Sequence, residues 1–301
     1  MRTTGAFPIE YESLGDPAHP AIVLIMGLGM QLVTWPDTFC QALVAGGFRV
    51  VRFDNRDSGL SARATGGGAL GMVKVIAASV LKQPVRIPYT LHDMAQDTLA
   101  VMDALQIERA HIVGISMGGM IGQVLAAEHP QRVLSLTSIM STSGHPRLPQ
   151  PSLKVRRVLM SRPANPKDLE SVVDHLVHVV QVIGSPGYPE PVQALRERVS
   201  RGVKRAYNPA GTNRQVMAVI ASGDRRPLLK KINTPTLIIH GRDDPLVPLS
   251  GGQDTAAHVR GAKLMVIDGM GHDLSPALLP QLAQAILAHC HAVEPSSPYA
   301  N

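Results

Sequence analysis

Ala110-His111-Ile112-Val113-Gly114-Ile115-Ser116-Met117-Gly118-Gly119-Met120-Ile121 is the stretch on which the reading of this chain turns. An apolar run of strand length ends at Ile115, and a helical pattern over Met117–Glu128 starts directly after the serine. A G-x-S-x-G placed between strand and helix is the setting of a nucleophile elbow. The turn is so sharp that small residues are needed two before and two after the serine. The hydroxyl then projects at a helix N-terminus, where the backbone dipoles favour developing negative charge. The same pattern elsewhere is often just a glycine-lined turn whose serine caps the helix. The flanking chain has to choose.

Outward from the serine, apolar runs of strand length alternate with helical patterns, as in a mostly parallel sheet with crossover helices. Upstream, Phe7–Leu14 reads as an edge strand and Ala21–Met26 as a strand buried on both faces. The turn Gly27-Leu28-Gly29, a helix over Thr34–Ala45, a strand at Arg49–Phe53 and the polar loop Asp54–Gly59 follow. A helix is expected to run to about Leu81 after Gly66-Gly67-Gly68. Thr90 and Asp93 look like a capping pair ahead of Leu91, Ala95, Leu99, Met102 and Leu105 at helical spacing. Downstream come a strand at Val133–Met140, then Pro235–His240, Lys263–Ile267 and a helix over Pro276–His289; Glu294–Asn301 reads as a loose tail.

Between these strands the alternation stops. Residues 144–224 are proline-rich and helical, with patterns at Lys154–Met160, Asp168–Val182, Pro191–Val203 and Gln215–Ala221. A helical insertion between two strands of one sheet reads as a cap over the sheet edge. The expected organisation is therefore a core of 1–143 and 225–301 with a lid of 144–224.

Composition narrows the function classes. A chain of 301 residues buries about three quarters of its unfolded surface. With 45% hydrophobic and 17% charged residues it is neither disordered nor a coiled coil. Cys40 and Cys290 are too few for a disulfide framework and suit a reducing compartment. The first residues lack the apolar stretch of a signal peptide, and no run approaches a membrane span, so a cytoplasmic protein off the membrane is expected. Residues 145–231 carry 16 Lys/Arg against 6 Asp/Glu. That excess reads as solvated helix faces, or as a field steering an anionic substrate. The basic residues are not interleaved with aromatics, so nucleic acid is not an expected partner. No dinucleotide, P-loop or H-E-x-x-H pattern occurs, and His175 with His178 lacks a carboxylate partner. No cofactor and no metal are expected.

A serine hydroxyl needs a hydrogen-bonded imidazole, itself oriented by a buried carboxylate. In a sheet of this kind the order along the chain is serine, acid, histidine. His240-Gly241-Arg242-Asp243-Asp244-Pro245-Leu246-Val247-Pro248 places two carboxylates after a strand, and its spacing favours Asp244, deeper in the turn, over Asp243. Gly269-Met270-Gly271-His272-Asp273 follows the last strand, with glycines that let the loop carry His272 over Ser116. Asp273 is expected to point away, as a residue adjacent to the base does. Activity should rise with pH, because only neutral imidazole serves as base.

Gly114–Gly118, Asp244 and His272, with Met26-Gly27-Leu28-Gly29 and Asp54-Asn55-Arg56, resemble an α/β-hydrolase from Ile9 to His289. Ser116–Ile121 and His240–Pro248 are most similar to bacterial carboxylesterases of the aclacinomycin-methylesterase type. The resemblance implies ester hydrolysis on a small-molecule substrate, with an oxyanion hole of backbone N–H groups from Met117 and Leu28. It also implies a pocket shaped by the cap together with Met30, Trp35 and Met117. Many relatives carry His-Gly where this chain has Met26-Gly27, so the orienting histidine is missing. A cofactor-free perhydrolase or haloperoxidase, a carbon–carbon bond hydrolase, and a receptor that keeps the residues without turnover are the competing expectations. The natural ester and the oligomeric state are not readable from the sequence.

Overall fold

The computed structural model describes residues 1–5, 7–81, 83 and 85–293; the expected tail at 294–301 lies outside them. Seven strands form one sheet in the order β1-β3-β2-β4-β5-β6-β7. The short edge strand β1 (Tyr11–Leu14) is antiparallel to its neighbour, and every other pair is parallel. Strand β2 (Ala21–Ile25) leads through the helix α1 (Asp37–Ala45) to β3 (Arg49–Phe53). Helices α2 (Ala69–Leu81) and α3 (Leu91–Ala104) precede β4 (Ala110–Ile115), which turns at once into α4 (Met117–Glu128) and then β5 (Val133–Ile139).

Four helices follow: α5 (Leu153–Met160), α6 (Leu169–Ile183), α7 (Val192–Arg205) and α8 (Pro209–Ser222). A four-residue turn of helix, α9 (Arg226–Leu229), returns the chain to β6 (Thr236–Gly241). The fold closes with α10 (Leu249–His258), β7 (Lys263–Ile267) and α11 (Leu279–His291). Among the described residues no helix is long and apolar enough to cross a membrane.

The apolar runs work as a doubly covered sheet requires. Successive side chains of a strand point to opposite faces, and both faces here are dry. Ala21, Val23 and Ile25 pack with α3 and α4, whereas Ile22 and Leu24 pack with α1 and α11. A third, smaller core of Val172, Val173, Val177, Leu195 and Val203 joins α6 to α7. The segment between β5 and β6 therefore carries its own apolar contacts.

Departures from the sequence pattern have local causes. The edge strand starts at Tyr11 rather than Phe7, since residues 3 and 9 pair with each other (Thr3 N to Ile9 O, 3.0 Å). Pro36 caps α1 from outside, and the preceding turn at Leu32–Thr34 is a 3₁₀ helix. Helix α8 begins at Pro209, six residues before the expected start, because Asn208 caps it and proline suits the first turn. Helices α9 and α10 have no counterpart in the periodicity. Gly251 and Gly252, in the first turn of α10, lie against Thr142 and His240, where a Cβ on Gly252 would sit 2.5 Å from the His240 ring.

At α3 the expected capping pair is a full capping box: Thr90 Oγ1 accepts from Asp93 N (3.2 Å) and Asp93 Oδ2 from Thr90 N (2.7 Å). Thr90→Ala should cost about 1 kcal/mol in chemical denaturation. A midpoint equal to the parent's would contradict the contribution of the cap.

Part of the basic excess of residues 145–231 is engaged by partners. Arg205 reaches Asp54 (2.7 Å), Arg214 grips both oxygens of Asp57 (2.7 and 2.8 Å), and Arg198 pairs with Glu190 (2.6 Å). Arg196 pairs with Asp174 and Glu170 on the surface. Arg225, almost wholly buried, donates to Gln123 Oε1 and Thr142 O, so it ties the two ends of the insertion together. Burial brings its guanidinium down to about 10. Arg156, Arg157, Arg201 and Lys204 are among ten cations of this segment that remain exposed.

Candidate active site

Strand order decides which loops meet. The chain crosses from β3 back over β2 to β4, and in open α/β sheets sites form at the carboxyl ends of strands beside such a reversal. Ile25 is in register with Gly114. The residues after β2, Met26 to Gly29, therefore lie beside the residues after β4, which begin with Ser116. The approach is so close that a Cβ on Gly118 would stand 2.1 Å from Ile25 O, and one on Gly114 would stand 2.2 Å from Gly118 O. Both glycines are required by backbone passing backbone.

Ser116 sits at φ 53°, ψ −115°, a conformation non-glycine residues avoid. Its N–H donates to Ile139 O (2.9 Å) and its carbonyl accepts from Ser141 Oγ (2.8 Å), so neighbouring β5 holds the turn. The side chain makes no capping bond to its own helix. The hydroxyl is thus directed out of the turn, 3.0 Å from His272 Nε2.

His272 arrives from the loop after β7, where Gly269 adopts φ 76°. Its Nδ1 lies 2.7 Å from Asp244 Oδ2. A carboxylate can only accept, so Nδ1 carries the proton and Nε2 turns its lone pair toward the serine hydroxyl. Asp244, its side chain fully buried, follows β6. The other oxygen, Oδ1, accepts the N–H groups of Leu246 (2.9 Å) and Val247 (2.8 Å), which fixes the carboxylate. Asp243 instead caps the histidine loop from an exposed position, accepting from Gly269 N (2.8 Å). Asp273 points away from the imidazole, to Ser185.

Sequence reasoning passed over several supporting side chains. His240 donates through Nε2 to Val247 O (2.8 Å), so it braces the loop holding Asp244; burial lowers its pKa and keeps it neutral. Asn55 Nδ2 donates to Met26 O (2.8 Å) and Gln215 Oε1 accepts from Gly29 N (2.8 Å). These two amides orient the turn after β2, where an orienting histidine is lacking. Gln215 also donates to Arg56 O and Ser58 Oγ. Asn55 is the second residue past β3, within the quoted Asp54-Asn55-Arg56, a detectable signal; Gln215 lies in a helix with no motif around it.

Met117 is the first residue of α4, whose N–H groups have no partner within the helix. Leu28 is half-buried in the adjoining turn, and Met30 is 39% exposed beyond it. Trp35 corrects an expectation. Its ring is fully buried and stacks on Phe39 at 5.5 Å, in the core between the sheet and α1, so it lines no accessible pocket.

A sheet that gathers a hydroxyl, a carboxylate and an imidazole beyond the ends of three of its strands, here β4, β6 and β7, is the architecture of the α/β-hydrolases, and this chain belongs to that family. Residues 20–169 match the family described as alpha/beta hydrolase fold, and 209–283 match one described as TAP-like protein. The chain is 31% identical over 311 residues to the rhodomycin D methylesterase DnrP of Streptomyces peucetius, with 97% of this chain and 98% of that protein aligned. The rhodomycin D methylesterase DauP of Streptomyces sp. strain C5 is likewise 31% identical, at the same coverage. Among solved structures it is similar to a meta-cleavage product hydrolase from Pseudomonas fluorescens IP01, with a TM-score of 0.74, 19% identity and 98% of each chain covered.

Proposed function

We propose that this protein is a serine carboxylesterase working through an acyl-enzyme. Ser116 is the nucleophile, His272 the base and then the acid, and Asp244 the group that holds the imidazole tautomer. His272 takes the hydroxyl proton as Ser116 Oγ bonds to the ester carbonyl carbon. The tetrahedral intermediate collapses, and the alcohol leaves with that proton. Water, deprotonated by His272, then releases the carboxylic acid. The N–H groups of Met117 and Leu28 are assigned to the oxyanion, each worth about 10²–10³ in rate. Met30 belongs at the substrate pocket, and residues 144–224 act as a cap.

The observation that carries this reading is the unbroken line Ser116 Oγ, His272 Nε2 (3.0 Å), His272 Nδ1, Asp244 Oδ2 (2.7 Å). Full-length likeness to two methylesterases favours esters over other acyl substrates. Carbon–carbon bond hydrolysis uses the same residue types and is the second reading; a relative with that activity is 27% identical over 278 residues, against 31% over 311 residues for the methylesterase DnrP.

The test is a panel of p-nitrophenyl and methyl esters, alongside a vinylogous diketone and a peroxide assay, followed by labelling with an organophosphonate. Multiple turnovers on esters and a single adduct mapped to Ser116 are expected. Labelling without turnover would mark a non-catalytic receptor. Turnover that needs peroxide or the diketone would move the assignment to another reaction. With Arg205 and Arg214 engaged with buried carboxylates, anionic esters should gain less than tenfold in kcat/KM over neutral ones. A larger preference would assign the exposed cations to substrate.

A further inference from the structure

The loop carrying His272 is held on one side by Asp243, after β6, and on the other by the end of α6 and the segment that follows it. Three consecutive residues are gripped by one short segment: Gly271 N donates to Ser185 Oγ (2.9 Å), His272 N to Ile183 O (2.7 Å), and Asp273 Oδ1 accepts the Ser185 hydroxyl proton. Two more bonds extend the seam, Gly187 N to Gly269 O (2.9 Å) and Ser275 Oγ to Tyr188 O (2.6 Å). The two backbones touch. A Cβ on Gly271 would stand 2.2 Å from Gly184 O, and one on Gly187 would stand 2.7 Å from Gly269 Cα.

We propose that Ser185 is a positioning residue for His272, setting the imidazole from both sides through Gly271 and Asp273. This inference rests on the triad reading above. Ser185 is buried and its one hydroxyl both accepts and donates, so its bonds fix the two residues flanking the histidine at once. A misplacement of about 1 Å at a catalytic group is enough to cost about 10²-fold. Asp273, half-buried and with its carboxyl pKa raised by partial desolvation, has this hydroxyl as its hydrogen-bond partner. Arg198 adds a favourable charge nearby, itself paired with Glu190. The segment just after α6 thereby acts on the base, and the insertion takes part in building the site as well as covering it.

The test is Ser185→Ala in the full chain, assayed on p-nitrophenyl acetate, with the downfield imidazole Nδ1–H proton resonance recorded for the parent and the variant. We expect kcat to fall about 10–100-fold with KM within threefold, and the resonance to weaken or shift. Should S185A not fold, Ser185→Cys keeps most of the volume, weakens both bonds, and carries the same expectation. A kcat within twofold of the parent overturns the proposal, as does a reduced kcat with an unaltered resonance. Ser116→Ala separates the two readings. If it is inactive while S185A is parent-like, the hydrolase assignment stands and the positioning role falls. If it stays active, the reading of the site itself falls, and this inference with it.

Discussion

Ser116→Ala is expected to lower kcat on short p-nitrophenyl esters by about 10⁴–10⁶ while leaving the thermal midpoint within a few degrees of the parent. The size follows from the role proposed for the hydroxyl: without Oγ no acyl-enzyme forms, and the remaining rate comes from oriented N–H donors and binding alone. Stability should survive because the serine side chain makes no cap to its helix; the turn is held by its backbone, through Ile139 O and Ser141 Oγ. Asp244→Asn should cost a comparable factor, about 10⁴, by allowing the wrong imidazole tautomer. Retention of more than about a hundredth of the activity in the Ser116 variant would defeat the nucleophile assignment.

Arg214→Ala is expected to be the most damaging change to stability away from the catalytic residues. Its guanidinium meets Asp57 in a two-point ion pair, and the Asp57 side chain has no exposed surface. Tyr89 Oη donates to the same carboxylate (2.7 Å), and burial together with that neighbouring charge raises the phenol's pKa. Removing the cation leaves an uncompensated buried carboxylate, at about 3–5 kcal/mol. The pair also links α8 to the loop after β3, and α8 carries Gln215 to the turn after β2. Lower ester turnover should therefore accompany the lost stability. Denaturant titration reads the first effect. A loss below about 1 kcal/mol would show that water reaches Asp57 and that the pair is not dry. An Arg214→Ala, Asp57→Asn double variant should recover part of the loss, because the orphaned charge is gone.

Much of the sheet was legible because its inner strands, β2 to β6, are buried on both faces. Ala21–Ile25 is a continuous apolar run, and Ala110–Ile115 is broken only by His111 and Gly114, a density no solvated helix tolerates. The elbow was legible for a steric reason: Gly114 and Gly118 stand where any side chain would meet backbone. Helix starts governed by proline and Asn caps were displaced by several residues, as at α8, because hydrophobic spacing says little about the polar first turn. Trp35 shows the limit most clearly. It was expected to shape a pocket together with the cap, Met30 and Met117, yet its ring is buried against Phe39 in the core, and only packing against α1 could reveal that.

The amino-acid order alone settled the alternation of strands and helices, the tight turn at Ser116, and the presence of a carboxylate and an imidazole after later strands. These are properties of neighbours along the chain, where steric limits and apolar spacing act over a few residues. Tertiary structure decided everything that depends on distant segments meeting. It put Asp244 rather than Asp243 or Asp273 on the imidazole, matched Arg205 and Arg214 to Asp54 and Asp57, and set Ser185 and Gln215 against loops 86 and 186 residues away. Hydrogen bonds and ion pairs act only at contact distance, and no spacing rule within the chain encodes which remote partner a polar side chain will reach.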